Sequence, residues 1–147
     1  MRIKNKKASF NYEISDAFEA GIVLAGAEVK SIKSGRVNLS DAFVKIVGGE
    51  LWLVNADIPR YKSDGSLEYD SKRSRKLLVK RKELVKIDSK LKQKNLTLIP
   101  LSVYTSRGKI KVEVAFGKGR KKHEKKAREK ERELDRELLY EKREYMV

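Results

Sequence analysis

Seven of the eleven residues from Lys72 to Lys82 are cationic, in two clusters, Lys72-Arg-Ser-Arg-Lys76 and Lys80-Arg-Lys82. A second focus, Lys118-Gly-Arg-Lys-Lys-His-Glu-Lys-Lys126, sets six positive charges against one negative. A guanidinium fork holds a phosphate through parallel N–H bonds and lysine adds a mobile point charge, so the chemistry on offer is phosphate binding. The bland alternative is a solvated surface run. The long polar stretch before Lys72 and the basic residues Lys30, Lys33 and Arg36 favour binding. Tyr12, Tyr61, Tyr69, Tyr104 and His123 are candidates for stacking on unpaired bases. Tyr12 and Tyr104 read first as packing residues, whereas His123 lies in a segment with no core to join.

The remaining residue types exclude most catalysis. There is no cysteine, hence no disulfide, thiol nucleophile or thiolate-bound metal, and a single histidine cannot build a His-based metal site. Glu19, Glu28, Asp41 and Asp57 are scattered, and no glycine-rich loop stands between a strand and a helix. No metal, cofactor or catalytic residue is expected. A net charge of +15, from 36 Lys/Arg against 21 Asp/Glu, calls for a polyanionic partner and salt-dependent affinity. Solubility alone would be served by either sign of charge. No apolar run reaches the length of a membrane span and the start, MRIKNKKASF, has no apolar stretch, so the expectation is a soluble, cytoplasmic monomer with no membrane contact.

Several elements must position these charges. Residues 1–9 read as a basic arm leading into a strand at Phe10–Ile14. Ser15 or Asp16 reads as the cap of a helical turn through Glu19, ended by Gly21, before a short strand at Ile22–Leu24. Gly26 to Ser34 reads as a helix with Ala27, Val29 and Ile32 inward and Glu28, Lys30 and Lys33 outward, stopped by Gly35. Phe43–Val47 and Glu50–Val54 flank Gly48-Gly49, a β-hairpin and the clearest local signal. Pro59 to Ser74 is a long polar connection. Leu84, Val85, Ile87 and Leu91 fall at helical spacing. Leu96–Tyr104 and Lys109–Phe116 read as strands joined at Ser106-Arg107-Gly108, with Ile110, Val112, Val114 and Phe116 inward and Lys109, Lys111 and Glu113 outward. Pro100 implies an edge or a bulge.

Short antiparallel strands with small helices between them predict a mainly β fold, an oligonucleotide-binding (OB) type antiparallel barrel over residues 1–117. Residues 118–147 have no apolar side chain larger than alanine before Leu134, so they form a basic tail, disordered when free. Opposite charges there pair at i,i+3 while like charges recur at i,i+4, and Lys, Arg, Glu, Leu and Ala are good helix formers. The tail is therefore poised for a helix whose apolar side is Leu134, Leu138 and Leu139, once a partner covers it.

The blocks Phe18-Glu-Ala-Gly-Ile-Val-Leu-Ala-Gly-Ala-Glu-Val-Lys-Ser-Ile-Lys-Ser-Gly35, Asn38-Leu-Ser-Asp-Ala-Phe43, Arg73-Ser-Arg-Lys-Leu-Leu78 and Val114-Ala-Phe-Gly-Lys-Gly-Arg-Lys-Lys-His123 strongly resemble the signature of the SmpB, or SsrA (tmRNA)-binding protein, family. The resemblance runs from about Asn5 to about Arg132 and implies an OB-type barrel with a disordered C-terminal tail. It implies binding to the tRNA-like domain of tmRNA and delivery to stalled ribosomes for rescue and peptide tagging. It also implies indirect work with alanyl-tRNA synthetase and elongation factor Tu.

On this resemblance the tmRNA contacts fall on Asn5, Tyr12, Glu19, Leu78 and Lys111, and the basic residues Lys30, Lys33, Arg36, Arg73, Arg75 and Lys76 join them, with the polar Asn38. The 16S rRNA decoding-centre group falls on Lys118, Gly119, Arg120, Lys121, Lys122, His123, Lys125 and Lys126, with the tail continuing into the empty mRNA channel. Glu124-Lys-Lys126 stands where the family often has Asp-Lys-Arg, and Phe43 where it often has Tyr. Leu138-Leu-Tyr-Glu-Lys142 does not align with the family's usual aliphatic pair. Two rivals remain: a generic OB-fold ribosomal or RNA-chaperone protein, and a small RNA-processing enzyme, which would need a carboxylate cluster.

Overall fold

The computed structural model describes residues 2–61 and 69–119. The expectations for Arg120, Lys121, Lys122, His123, Lys125, Lys126, Leu134, Leu138 and Leu139 lie outside the described residues. In chain order the elements are β1 (Arg2–Lys4), α1 (Ala8–Asn11), β2 (Tyr12–Ile22), α2 (Gly26–Lys33), β3 (Phe43–Val47), β4 (Glu50–Val54), β5 (Arg75–Leu78), α3 (Arg81–Lys94), β6 (Thr97–Ser106) and β7 (Lys109–Gly119). All pairings are antiparallel, in the order β1-β6-β3-β4-β5-β2-β7, and a further β6–β7 ladder closes the sheet into a barrel with β1 added outside. The mainly β, OB-type architecture with small helices is thus the observed one.

Two hairpins follow from backbone chemistry. Gly48 (φ 59°) and Gly49 (φ 75°) turn β3 into β4, and Arg107 (φ 52°) with Gly108 (φ 77°) turns β6 into β7. Two successive positive φ angles are what a two-residue turn matched to strand twist requires. Period-two alternation then sorts β7: Val112 and Val114 are fully buried, and Lys111 and Glu113 lie on the other face. The core joins these to Ala20, Ile32, Val44, Leu51, Leu53, Leu77, Ile87, Leu98, Val103 and Phe116. In α3, Ile87 is buried and Leu84 and Leu91 pack beside it, while Val85 points outward at 64 % exposure.

Several local expectations are corrected. No helical turn interrupts Ser15–Glu19: β2 runs unbroken to Ile22, and a register shift between Ile14 and Ala17 absorbs the Ser-Asp punctuation as a bulge. The N-terminal arm is strand β1, paired as Arg2↔Tyr104 and Lys4↔Ser102, followed by the single turn α1. Lys118 and Gly119 are not tail residues; they extend β7 and pair with Glu13 and Tyr12. Pro100 does mark a bulge, between Pro100 and Ser102 on β6.

Candidate nucleic-acid interface

The Lys72–Lys82 cluster separates into different fates. Arg75 was expected on the RNA surface; its side chain is 0 % exposed. Its Nε donates to Glu28 Oε2 at 2.5 Å, Nη1 to the Ala56 carbonyl at 2.8 Å and Nη2 to the Ser71 carbonyl at 3.0 Å, so no direction is left for a phosphate. Glu28, expected to face away, is buried with it, because a helix carboxylate beside two arginines gains more from them than it loses in hydration. Glu28 Oε1 also accepts the Ala25 N–H and the Arg73 Nη2, ties that cap α2 and hold it to the β5 side of the barrel. Burial alone would raise the Glu28 pKa, but the Ala25 N–H and the two arginines outweigh it and hold the carboxyl below its usual range. Arg73 keeps 45 % of its side chain in solvent, and Lys76 pairs with exposed Glu50 at 3.3 Å.

The outer face of β5, β2, β7, β6 and β1 assembles what the sequence scattered. Antiparallel register sets Leu78, Gly21, Lys111, Tyr104 and Arg2 in one row. One pleat along come Glu19 and Glu113, paired directly. Facing residues of an antiparallel pair share a face, so Glu19, Leu78 and Lys111 act on one surface despite spanning most of the chain. Gly21 leaves a notch between Leu78, which is 51 % exposed, and Lys111. The cavity there measures about 370 Å³ and is also lined by Lys33 of α2 and by Lys109. Among the described residues no ion pair ties Lys33, Lys109 or Lys111 to a carboxylate, leaving three cations around an apolar notch. Lys109 was not among the expected contacts, although the alternation that turned Lys111 outward also marked it.

Glu19 accepts a hydrogen bond from the Tyr104 hydroxyl. Burial first, and then this bond to a carboxylate, push the Tyr104 pKa up to about 12, so the hydroxyl stays a donor. Arg2 lies over the Tyr104 ring, 4.3 Å from its centroid, and is fixed by Ser102 Oγ at 3.0 Å and Glu113 Oε2 at 3.5 Å.

Asn5 and Tyr12 line a separate concavity of about 300 Å³ with Lys7, Asn11, Asp41 and Phe43. Asn5 Nδ2 donates to the Pro100 carbonyl, and its Oδ1 accepts the Lys7 N–H, so the side chain is held across the bulge. Tyr12 sits on Gly117, where a Cβ would come within 2.9 Å of the end of Ile99 and 3.0 Å of the Tyr12 Cβ, so a larger residue there would have to push these side chains aside. On α2, Lys30 lies 5.8 Å from the Tyr61 ring centroid. Asn38 has a local duty: its Oδ1 accepts the Ser40 N–H and its backbone bridges to Asp57. Arg36 is exposed just beyond α2. Among the described residues there is no cluster of His, Cys, Asp and Glu that could hold a metal, and no helix long and apolar enough to cross a membrane.

A protein-family profile described as SmpB protein matches residues 2–144. An SsrA-binding protein of Sulfurihydrogenibium is 50 % identical over 120 residues, covering 82 % of this chain and 79 % of the relative. One from Dehalococcoides mccartyi is 49 % identical, covering 82 % and 70 %. One from Trichormus variabilis is 47 % identical, covering 82 % and 78 %. A solved chain described under "tmRNA-SmpB: a journey to the center of the bacterial ribosome" superposes with a TM-score of 0.68 at 39 % identity, covering 82 % of this chain and 85 % of that one. With the profile spanning nearly the whole chain and the barrel shared with a solved relative, the chain belongs to the SmpB protein family.

Proposed function

We propose that this chain is a tmRNA-binding factor of trans-translation, which brings tmRNA to stalled bacterial ribosomes. The observation that carries the reading is the outer sheet face: the exposed carboxylate of Glu19 beside the Leu78–Gly21–Lys111 notch and the cations Lys33 and Lys109, which no carboxylate among the described residues pairs. Cations fix a phosphate backbone in register, while a carboxylate accepts hydrogen bonds from exocyclic amines, so the pair suits a folded RNA with exposed bases. Asn5 and Tyr12 extend the contact across the barrel end, and Lys30, Arg36, Arg73 and Lys76 supply phosphate contacts around it. Asn38 acts by shaping its loop. Arg75 is left out, since its donors are spent inside the protein.

The relatives' name, SsrA-binding protein, and the solved tmRNA–SmpB chain from ribosome work support this partner. In this reading the barrel binds tmRNA as a monomer in the cytoplasm, and the residues after β7 serve as a tail for the decoding centre and mRNA channel. Alanyl-tRNA synthetase and elongation factor Tu meet the same RNA and thus this protein indirectly. The role is binding and delivery, with no chemical step. Sequencing the RNA that co-purifies with the intact chain tests the proposal: one dominant RNA of tmRNA type is expected, and a broad mixture of RNAs would reject it for a generic binder.

A further inference from the structure

Resting on that reading, we propose that Arg2 is a base-stacking platform, on which an unpaired nucleobase lies while Glu19 accepts its exocyclic amine. The platform is built rather than incidental. The Arg2 guanidinium rests with one face on the Tyr104 ring at 4.3 Å and is held by Ser102 Oγ and Glu113 Oε2. Among the described residues it has no other polar partner, and 46 % of the side chain remains in solvent, so the guanidinium backed by tyrosine keeps surface free for a ligand. A guanidinium plane stacks on bases as well as on aromatic rings. Its rotamer freedom is already spent on the tyrosine, serine and glutamate, which lowers the ordering cost when a base arrives.

The second half of the site is set by the same ring. The Tyr104 hydroxyl donates to Glu19, so the carboxylate is pinned within one ring length of the stacked guanidinium. At a Tyr104 pKa of about 12 that donor persists through the neutral range. Local charge selects a base over a phosphate. Arg2 pairs with Glu113 and stands near Glu19, so the stacking position carries no surplus positive charge, while Lys33, Lys109 and Lys111 gather at the neighbouring notch. Two carboxylates repel a phosphate, yet they suit a neutral ring carrying N–H donors. β1 therefore does more than lengthen the sheet: its first residue completes a recognition surface begun by β2 and β6.

Arg2→Lys tests this, because it keeps the charge for Glu113 and removes the plane. Binding of full-length tmRNA to the intact protein should weaken about tenfold, within the range seen for loss of one stacked base, with the slope of affinity against salt unchanged. A short single-stranded RNA carrying 2-aminopurine provides a readout independent of tmRNA. Wild type should quench its fluorescence by stacking, and Arg2→Lys should not. Tyr104→Phe keeps the ring under Arg2 and should retain the quench while losing preference for amine-bearing bases, a result that a folding defect would not give. Equal binding and equal quenching by Arg2→Lys and wild type would overturn the platform, as would a loss of affinity accompanied by a shallower salt slope. Stacking on the short RNA without selective tmRNA binding would instead reject the proposed function and leave the platform standing.

Discussion

Glu19 and Glu28 are nine residues apart, on the successive elements β2 and α2. Glu28 is 1 % exposed and spends both oxygens on Arg75, Arg73 and the Ala25 N–H. Glu19 stays at the surface with the Tyr104 hydroxyl as its hydrogen-bond donor. One carboxylate joins a helix to the barrel; the other is available to a ligand. The difference comes from the strand and helix that carry them. β2 turns Glu19 to the outer face of the sheet, while the first turn of α2 aims Glu28 at a buried guanidinium. Exposure and partners, not residue type, separate the carboxylate that ties elements together from the one left at the surface.

The sharpest way to break this division is to remove charge on the inner side. Glu28→Gln leaves Arg75 buried without a counter-charge and should lower unfolding stability by about 3–5 kcal/mol, read from a denaturant midpoint. Replacing both partners by apolar residues, Glu28→Met with Arg75→Leu, should recover much of that loss. If the single variant melts like wild type, the inner pair is not holding the fold. On the outer side, Lys111→Glu should weaken tmRNA binding by about 1–3 kcal/mol and leave the melt nearly unchanged. Unaltered RNA affinity in Lys111→Glu would remove the notch from the interface.

Acid titration sharpens the contrast further. The Glu28 carboxyl titrates below its ordinary value of 4.5 in the folded protein, so the unfolded chain takes up its proton first as pH falls. The stability Glu28 confers is complete above about pH 4.5 and is lost as pH drops toward its lower folded value. Denaturant melts below that pH should show a falling limb that Glu28→Gln flattens. An identical limb in that variant would assign the acid sensitivity to other carboxylates.

How far these roles were legible depended on distance along the chain. The β3–β4 hairpin was plain because its signal is local: alternating apolar residues around two glycines with positive φ. Lys111 was legible for the same reason, since strict alternation on β7 leaves it no inward choice. β2 was misread because Ser15, Asp16 and Gly21 imitate a helix cap and stop; pairing with β7 overrides that local chemistry, and a bulge accommodates it. Arg75 was misplaced because counting charges ignores partners 47 residues away, on α2. The Tyr104–Glu19 bond closes a gap of 85 residues, and the Arg2–Tyr104 stack joins the first strand to the sixth. Nothing in local composition announces such contacts; they exist only once the barrel closes.

The central claim is that Glu19 reads RNA and does not hold the fold. Glu19→Gln answers it when tmRNA affinity, its salt slope and the thermal melt are measured on one preparation. The account predicts affinity weakened by about 1–3 kcal/mol, a salt slope equal to wild type, and an unshifted melting temperature. Wild-type affinity, or a weakened affinity that tracks a lowered melting temperature, would contradict it.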